Sequence, residues 1–529
     1  MEKENEKLTK NQIITLVVIL LLLIGALARF LGLGSYPNAL NVDEASSGYE
    51  AFSLLRFGMD RNGNSFPVFL QAWGSGQNAL YTYLLIPFIA FLGLSELTIR
   101  LPMAIVGCIS LWMFYQLLKR IGNQKIAIIG LFFFSICPWH IMKSRWGLES
   151  NLFPDLILWG VYFLVKGITE NKKGFFYGSF VLMGLSAYSY GTSYFFLPLF
   201  VIPTLMILVK QKKIKLKDFW LALGTISLVT LPMILFVIIN TFHLPQIEIL
   251  GITIPKLEVN RFQEITSVFS TDFLTQSLHN FTESMKVLIA QNDHLPWNAI
   301  KPYGTIYLFS SVFTIIGLVT SLRRKNKRPY EYLIHLWFII GILLTFICEP
   351  NINRLNIIMI PIIYYTVRGM EEVIPNKNKI VPVGITIMYL ISFGFFMVDY
   401  SHENADEYYT FEQNLQEPLT YVKEQVEKRN RPIYITSTIK EPYIYVLFYT
   451  QYNTDEFVKT VTYANPKAEF RQVTLFGEYH IEEIDDETIN QAEEGSLFLL
   501  SNQEAKKIER ENVIKKEFKK YTIIEKNQT

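Results

Sequence analysis

The chain has 529 residues, of which 50% are hydrophobic and only 18% charged. Soluble domains carry roughly 25% charged residues, so this composition excludes an ordinary soluble protein for most of its length. A formal net charge of +2 gives no sign of a nucleic-acid partner, and three cysteines with no CxxC spacing suggest neither a disulfide framework nor a thiolate zinc site.

The polar, Lys-containing stretch Met1–Gln12 is followed by an apolar run, Ile13–Leu33. That run is too long for a signal-peptide core and matches a bilayer-crossing helix, so it reads as a retained first span. Directly after it comes LNVDEASSGYEA, residues 40–51, with the adjacent carboxylates Asp43 and Glu44. The plain reading is a solvated loop in which Asp43 caps a helix through Ala45–Phe57. The functional reading is a carboxylate pair in which one group takes a proton and its neighbour orients a partner.

The next apolar segment, Ala79–Leu94, is short for a full span. If it crossed, the basic loops that follow would fall on the wrong side; as a juxtamembrane helix in the outer interface it restores their parity. A second span then starts near Leu97, with Arg100 close to its beginning, where an arginine is costly unless paired or interfacial. Further spans follow to about Val398. They are separated alternately by basic loops (Lys119–Lys125, Lys166–Lys173, Lys210–Lys217, Arg323–Arg328, Pro375–Lys379) and by loops poor in lysine (Ser144–Asn151, Ser189–Tyr194, Thr241–Gly304, Glu349–Arg354). Short basic loops mark the cytoplasmic side. The expected fold is mainly α: a polytopic transmembrane helix bundle of about eleven spans, N-terminus in and C-terminus out, with outer-face juxtamembrane helices.

From Asp399 onward charge rises and long apolar runs vanish. LQEPLTYVKEQVEKR (415–429) has helical spacing, while RPIYITST (431–438) and LFLLSN (497–502) read as strands. The expected division is a transmembrane domain, 1–398, and a small extracytoplasmic α/β domain, 399–529.

The outward face gathers the candidate chemistry. KSRWGLESN (143–151) places Arg145 and Glu149 four apart: if helical they share a face and pair, or Arg145 binds an anionic group, or it merely snorkels. The long Thr241–Gly304 connection holds Arg261 and the Asp293–His294 pair; a connection of this length in a bundle is often functional, although a lone loop histidine is more often neither ligand nor base. Arg354 opens a span from outside, either snorkelling or holding an anion. Carboxylates, arginines, aromatics and an amphipathic shelf on one side of a membrane suit a reaction on a lipid-linked phosphate.

Three stretches carry a resemblance to a known family: the Asp43–Glu44 pair after the first span, ALYTYLL at Ala79–Leu85, and GLSELTIRLP at Gly93–Pro102, which continues to Gly107. Over about Ile13–Val398 the chain resembles the integral-membrane glycosyltransferases of the GT-C superfamily, in the protein-mannosyltransferase and aminoarabinose-transferase group (glycosyltransferase family 39-like). The resemblance implies an inverting glycosyltransferase that moves a sugar from a polyprenyl-phosphate donor to an acceptor hydroxyl on protein, lipid or cell-envelope glycan. The reaction would take place at the outer face of the cytoplasmic membrane. Asp43 matches the family's catalytic acidic position, with Glu44 as its support. Arg145, Arg261 and Arg354 are donor-phosphate candidates by side of the membrane, and Gln77, Asn78, Glu149 and His294 are substrate-site candidates. Some relatives carry an acidic metal-binding residue just before the shelf; here Gln77 and Asn78 stand there, so no metal ligand is assigned and a divalent metal cofactor stays open. Two other readings compete: a transporter or flippase of a lipid-linked glycan, and a non-catalytic membrane scaffold with an external sensing domain. Spans that are mostly charge-free, with charges gathered on one side, speak against transport.

Overall fold

The computed structural model describes residues 9–37, 40–73, 76–258, 267, 272–324, 328–374, 380–401, 411–412, 414–428, 431–468, 470–508 and 513–526. In chain order the helices up to Thr241 are α1 (Lys10–Phe30), α2 (Val42–Phe57), α3 (Leu80–Leu92), α4 (Glu96–Ile121), α5 (Gln124–Ile136), α6 (Pro138–Ser144), α7 (Leu152–Thr169), α8 (Lys173–Leu185), α9 (Ser193–Lys210) and α10 (Leu216–Thr241). They continue with α11 (Phe273–Ala290), α12 (Ser310–Arg323), α13 (Glu331–Ile347), α14 (Asn356–Val373), α15 (Ile380–Ser401), α16 (Gln416–Lys428) and α17 (Pro442–Thr450). The chain forms two compact units. One is Met1–Leu33, Met103–Leu231 and Phe262–His402; the other is Gly34–Pro102, Pro232–Arg261 and Glu403–Thr529.

The first unit is helical. Thr9 opens α1 with a capping box, its hydroxyl accepting from the Gln12 amide while the Gln12 side chain takes the Thr9 N–H. At 21 residues α1 is about 32 Å long, the thickness of a bilayer core. Among the described residues, six helical segments are long and apolar enough to cross a membrane: α1, α4, Glu149–Thr169, α9, α10 and α15. A seventh counts if α5 and α6, bent by 58°, form one broken span. The bend falls at Pro138, which has no N–H to continue the ladder and holds Cys137 in an extended conformation. Among the described residues, length and composition thus mark six or seven spans, where eleven were expected. The shelf segment forms α3, whose 13 residues reach only about 20 Å.

Helices α12 and α14 of this unit approach closely. A Cβ on Gly317 would stand 1.8 Å from the Tyr365 carbonyl oxygen, and one on Gly369 would stand 1.8 Å from that of Phe313. Two backbones touch where each lacks a side chain, the small-residue packing that membrane helices use in place of a hydrophobic driving force.

The second unit is α/β. Its main sheet has seven strands, which by residue range run Val513–Glu517, Tyr521–Lys526, Leu497–Ser501, Ile433–Thr436, Tyr479–Glu482, Val473–Phe476 and Thr462–Tyr463 from edge to edge. Ile433–Thr436 is central, parallel to both neighbours. Ile489, Phe498, Leu500 and Ile524 pack one core of this unit. The helix expected over 415–429 is α16, and the two expected strands are Ile433–Thr436 and Leu497–Ser501. The Glu403–Thr529 segment packs on the earlier part of its unit: α17 lies on α2, where a Cβ on Gly48 would meet the Phe448 ring at 2.7 Å. Tyr49 donates to the Tyr452 carbonyl at 2.8 Å, and Leu40–Asn41 pairs antiparallel with Phe411–Glu412.

Gly317→Ala and Gly369→Ala each overpack a backbone contact and are expected to destabilise the protein by at least ~1–3 kcal/mol. The check is the thermal midpoint in detergent; unchanged midpoints would show that α12 and α14 do not meet at these glycines.

Candidate active site

The residues before α2 determine how Asp43 is presented. Asn41, not Asp43, is the N-cap: its side chain accepts from the Asp43 N–H at 2.8 Å, while Glu44 at the third helical position reaches back to the Asn41 N–H at 3.3 Å. This reciprocal capping box corrects the reading of Asp43 as the cap, and its signal, Asn-x-x-Glu, stands in the sequence. Glu44 is fully buried and held in a two-point ion pair by Arg100, Nε to Oε1 at 2.9 Å and Nη2 to Oε2 at 3.0 Å. Arg100 Nη1 also donates to the Pro37 carbonyl at 2.9 Å. The partner that Arg100 required on sequence grounds is therefore Glu44.

Asp43, half-buried in the first turn of α2, sits where the helix dipole favours a carboxylate. Trp73 Nε1 donates to its Oδ1 at 3.3 Å. Behind Trp73 lies a buried charge cluster that sequence reasoning missed. The Arg61 guanidinium is 5.0 Å from the Trp73 ring and 5.8 Å from that of Tyr443. Arg61 Nε pairs with Glu50 Oε1 at 3.2 Å, its N–H donates to Glu50 Oε2 at 3.0 Å, and Nη1 donates to the Ser46 hydroxyl at 2.9 Å. Burial pushes the Glu50 carboxyl up to about 7, outweighing the attraction of Arg61; neighbouring Asp60 pushes the same way. The Arg471 N–H holds the Trp73 carbonyl at 2.7 Å.

Gln77 and Asn78 form a two-residue strand paired with Phe69–Leu70, and both are buried. Gln77 Nε2 donates to the Ser47 hydroxyl at 3.1 Å. Ser47 is one turn beyond Asp43 on α2, so the Trp73 and Gln77 contacts land on successive turns of one helix face. Gly76, at φ 135°, makes this approach with its Cβ position 2.2 Å from the Phe69 ring. Asp43, Glu44, Gln77 and Asn78 therefore share the α/β unit.

Arg145, Glu149, His294 and Arg354 belong to the helical unit. Arg145 and Glu149 do not share a helix, so the helical-pair reading falls: α6 ends at Ser144, and Glu149 opens a single 3-10 turn. Arg145 is fully buried, its Nη1 donating to the carbonyls of Ala28, Arg29 and Leu31 at 2.9–3.2 Å and its Nη2 to that of Gly32 at 3.0 Å. It thus satisfies the orphan carbonyls at the end of α1. Arg354 Nη1 donates to Glu349 at 2.6 Å. His294 is exposed. Its neighbour Asp293 ties two loops together, accepting from Asn298 Nδ2 at 2.7 Å and the Ile352 N–H at 2.9 Å, and burial raises its carboxyl above the usual range. Arg261 lies outside the described residues.

The charge-free character expected of the spans meets an exception in this unit. Lys143 Nζ donates to Asp155 at 3.0 Å, His140 Nε2 lies 3.4 Å from the same carboxylate, and Arg29 Nη2 lies 2.6 Å from His140 Nδ1. An arginine only donates, so Nδ1 is the acceptor and Nε2 carries the proton toward Asp155. Among the described residues no three His, Cys, Asp or Glu side chains gather to hold a metal ion. Gln77 and Asn78 supply only neutral amides.

Both sequence and fold find counterparts among membrane glycosyltransferases. Residues 78–238 match the family PMT_2, dolichyl-phosphate-mannose-protein mannosyltransferase. Among curated proteins none matches the chain in sequence. Similar solved structures include ArnT from Cupriavidus metallidurans bound to undecaprenyl phosphate. It has a TM-score of 0.55 at 9% identity, covering 98% of this chain and 98% of that one. The archaeal oligosaccharyltransferase AglB from Archaeoglobus fulgidus, in complex with an inhibitory peptide and a dolichol-phosphate, has a TM-score of 0.51 at 13% identity. That match covers 83% of this chain, which spans 64% of the length of AglB. The fold of this chain is similar to those of ArnT and AglB.

Arg100→Ala leaves Glu44 buried without its counter-charge, and the expected loss of stability is ~3–5 kcal/mol. Arg100→Met combined with Glu44→Gln is expected to cost less than Arg100→Ala alone; unfolding midpoints of the two variants decide it. Glu50 yields a pH prediction. Its carboxyl titrates higher folded than unfolded, so its contribution favours folding at low pH and is lost as pH rises from about 4.5 through about 7. The thermal midpoint of the wild type is therefore expected to fall more between pH 5 and pH 8 than that of Glu50→Gln; parallel profiles would remove Glu50 as the titrating group.

Proposed function

We propose that this chain is an inverting glycosyltransferase that moves a sugar from a polyprenyl-phosphate donor to an acceptor hydroxyl at the outer face of the cytoplasmic membrane. The observation that carries this reading is the division of labour within the carboxylate pair: Glu44 is consumed by Arg100 and the helix cap, while Asp43 is half-buried and oriented by Trp73. A base that is fixed but reachable, on a GT-C fold, is what proton removal from an acceptor hydroxyl asks for.

In this reading the acceptor oxygen attacks the anomeric carbon and its proton passes to Asp43. The bond from the anomeric carbon to the phosphate oxygen breaks, and the polyprenyl phosphate leaves with the electron pair. Glu44 and Arg100 act as positioning residues. Arg354 and Arg261 remain the candidates for the phosphate. Arg145 serves better as the group that fixes the end of α1, since phosphate binding would cost it four carbonyl contacts. Gln77 and Asn78 are the substrate candidates within the same unit as Asp43, and Glu149 and His294 remain candidates in the helical unit. No step is assigned to a metal. The undecaprenyl phosphate of ArnT and the dolichol-phosphate of AglB support a lipid-phosphate donor, and the basic short loops support the outward orientation. The transferase chemistry is assigned to residues 1–398, with 399–529 as an extracytoplasmic domain.

Purified protein in lipid, offered a panel of radiolabelled polyprenyl-phosphate sugars and an envelope fraction as acceptor, is expected to transfer from at least one donor. Asp43→Asn is expected to lower that rate by at least ~10²-fold with an unchanged thermal midpoint. Near wild-type turnover in Asp43→Asn would remove it from the base role. Translocation of a lipid-linked glycan that survives the same substitution would replace the enzyme reading by the transporter one.

A further inference from the structure

Helices α1, α4, α5, α14 and α15 of the helical unit enclose a groove of about 1400 Å³. This is larger than the roughly 300–1,000 Å³ of small-molecule sites. Its wall is apolar, with Val18 and Leu22 from α1, Ile128 and Phe132 from α5 and Ile385 from α15. On its α15 side the wall belongs to an apolar helix only 11% buried, so the groove adjoins an exposed apolar surface of the kind a bilayer covers.

One end of the groove is different. Lys10, Lys119 and Lys125 stand there, and among the described lining residues there is no Asp or Glu. Lys10 and Lys119 are exposed, and Lys125 Nζ donates to the Ile374 carbonyl at 3.0 Å. Glu371, 3.5 Å from the lining residue Asn123, is occupied by Arg328 at 2.8 and 2.9 Å and by Arg368. Trp112 and Tyr115, with ring centroids 5.5 Å apart, line the wall on the turns of α4 just before Lys119, as aromatics do at the level of lipid headgroups. These lysines lie at the end of the spans that the short basic loops assign to the cytoplasm.

We propose that this groove binds one anionic glycerophospholipid of the cytoplasmic leaflet. Its acyl chains lie along α1, α5 and α15, and its phosphodiester meets the three lysines. A zwitterionic lipid would bring its own ammonium toward Lys119 and Lys10, and a free phosphate would leave the apolar wall without an occupant. Lysines at such a surface favour an anionic headgroup by about fivefold each.

Native mass spectrometry of the full chain, reconstituted with equimolar phosphatidylcholine and phosphatidylglycerol and then stripped with detergent, reads the retained lipid directly. One phosphatidylglycerol per chain is expected, enriched over phosphatidylcholine. Lys119→Gln with Lys125→Gln is expected to abolish the enrichment, and Lys119→Arg with Lys125→Arg to keep it. Ile385→Trp, which fills the groove, is expected to lose the lipid with the lysines intact. Equal retention of both lipids by the wild type overturns the proposal, as does enrichment that survives loss of the two lysines. Displacement of phosphatidylglycerol by stoichiometric polyprenyl phosphate also overturns it. The readout contains no sugar transfer, so it fails or holds apart from the transferase reading.

Discussion

A carboxylate and a guanidinium buried together define the entrance to α2. Neither Glu44 nor Arg100 could be withdrawn from water alone, because an uncompensated buried charge costs several kcal/mol. Two parallel hydrogen bonds satisfy both, and the same carboxylate closes the helix cap on Asn41. The pair therefore couples the residue after the first apolar run to the RLP stretch some fifty positions later.

The buried arginines of this protein divide their work by what their planar fork reads. Arg100 and Arg61 read carboxylates, and Arg61 adds two aromatic faces. Arg145 reads the unpaired carbonyls at a helix end, with the Tyr400 ring 5.6 Å from its guanidinium. Arg29 reads carbonyls on two helices and a histidine nitrogen. Side of the membrane alone therefore could not sort phosphate ligands from structural arginines. That distinction depends on acceptors supplied from distant parts of the chain, which no local pattern announces.

Much of the architecture is legible in residue order. The first span, the helix at Gln416–Lys428 and the strands at Ile433–Thr436 and Leu497–Ser501 follow from periodicity and side-chain shape, which are local properties. The need for a partner at Arg100 is also legible, because it follows from the cost of burying charge. The cap at Asn41 was readable but was obscured by the neighbouring Asp43, an equally good capping residue. The break between Arg145 and Glu149 defeats a four-residue spacing argument, since that argument holds only within one continuous helix. The cluster of Arg61, Glu50, Trp73 and Tyr443 joins residues nearly four hundred positions apart, and no window along the sequence contains it.

The α/β unit is stitched from three separate stretches, and its seams have a consequence for how the protein is made. Leu40–Asn41, the strand from which α2 starts, finds its hydrogen-bonding edge in Phe411–Glu412. Tyr49 and Gly48 find their partners in the segment around Phe448 and Tyr452. During synthesis the helical segments emerge while this seam still lacks its second side. The Asp43 region therefore waits, with its pairing edge open, until translation has passed Tyr452. Completion of the candidate site is then a late event in biogenesis, and a prematurely terminated chain would carry the membrane helices without a finished site.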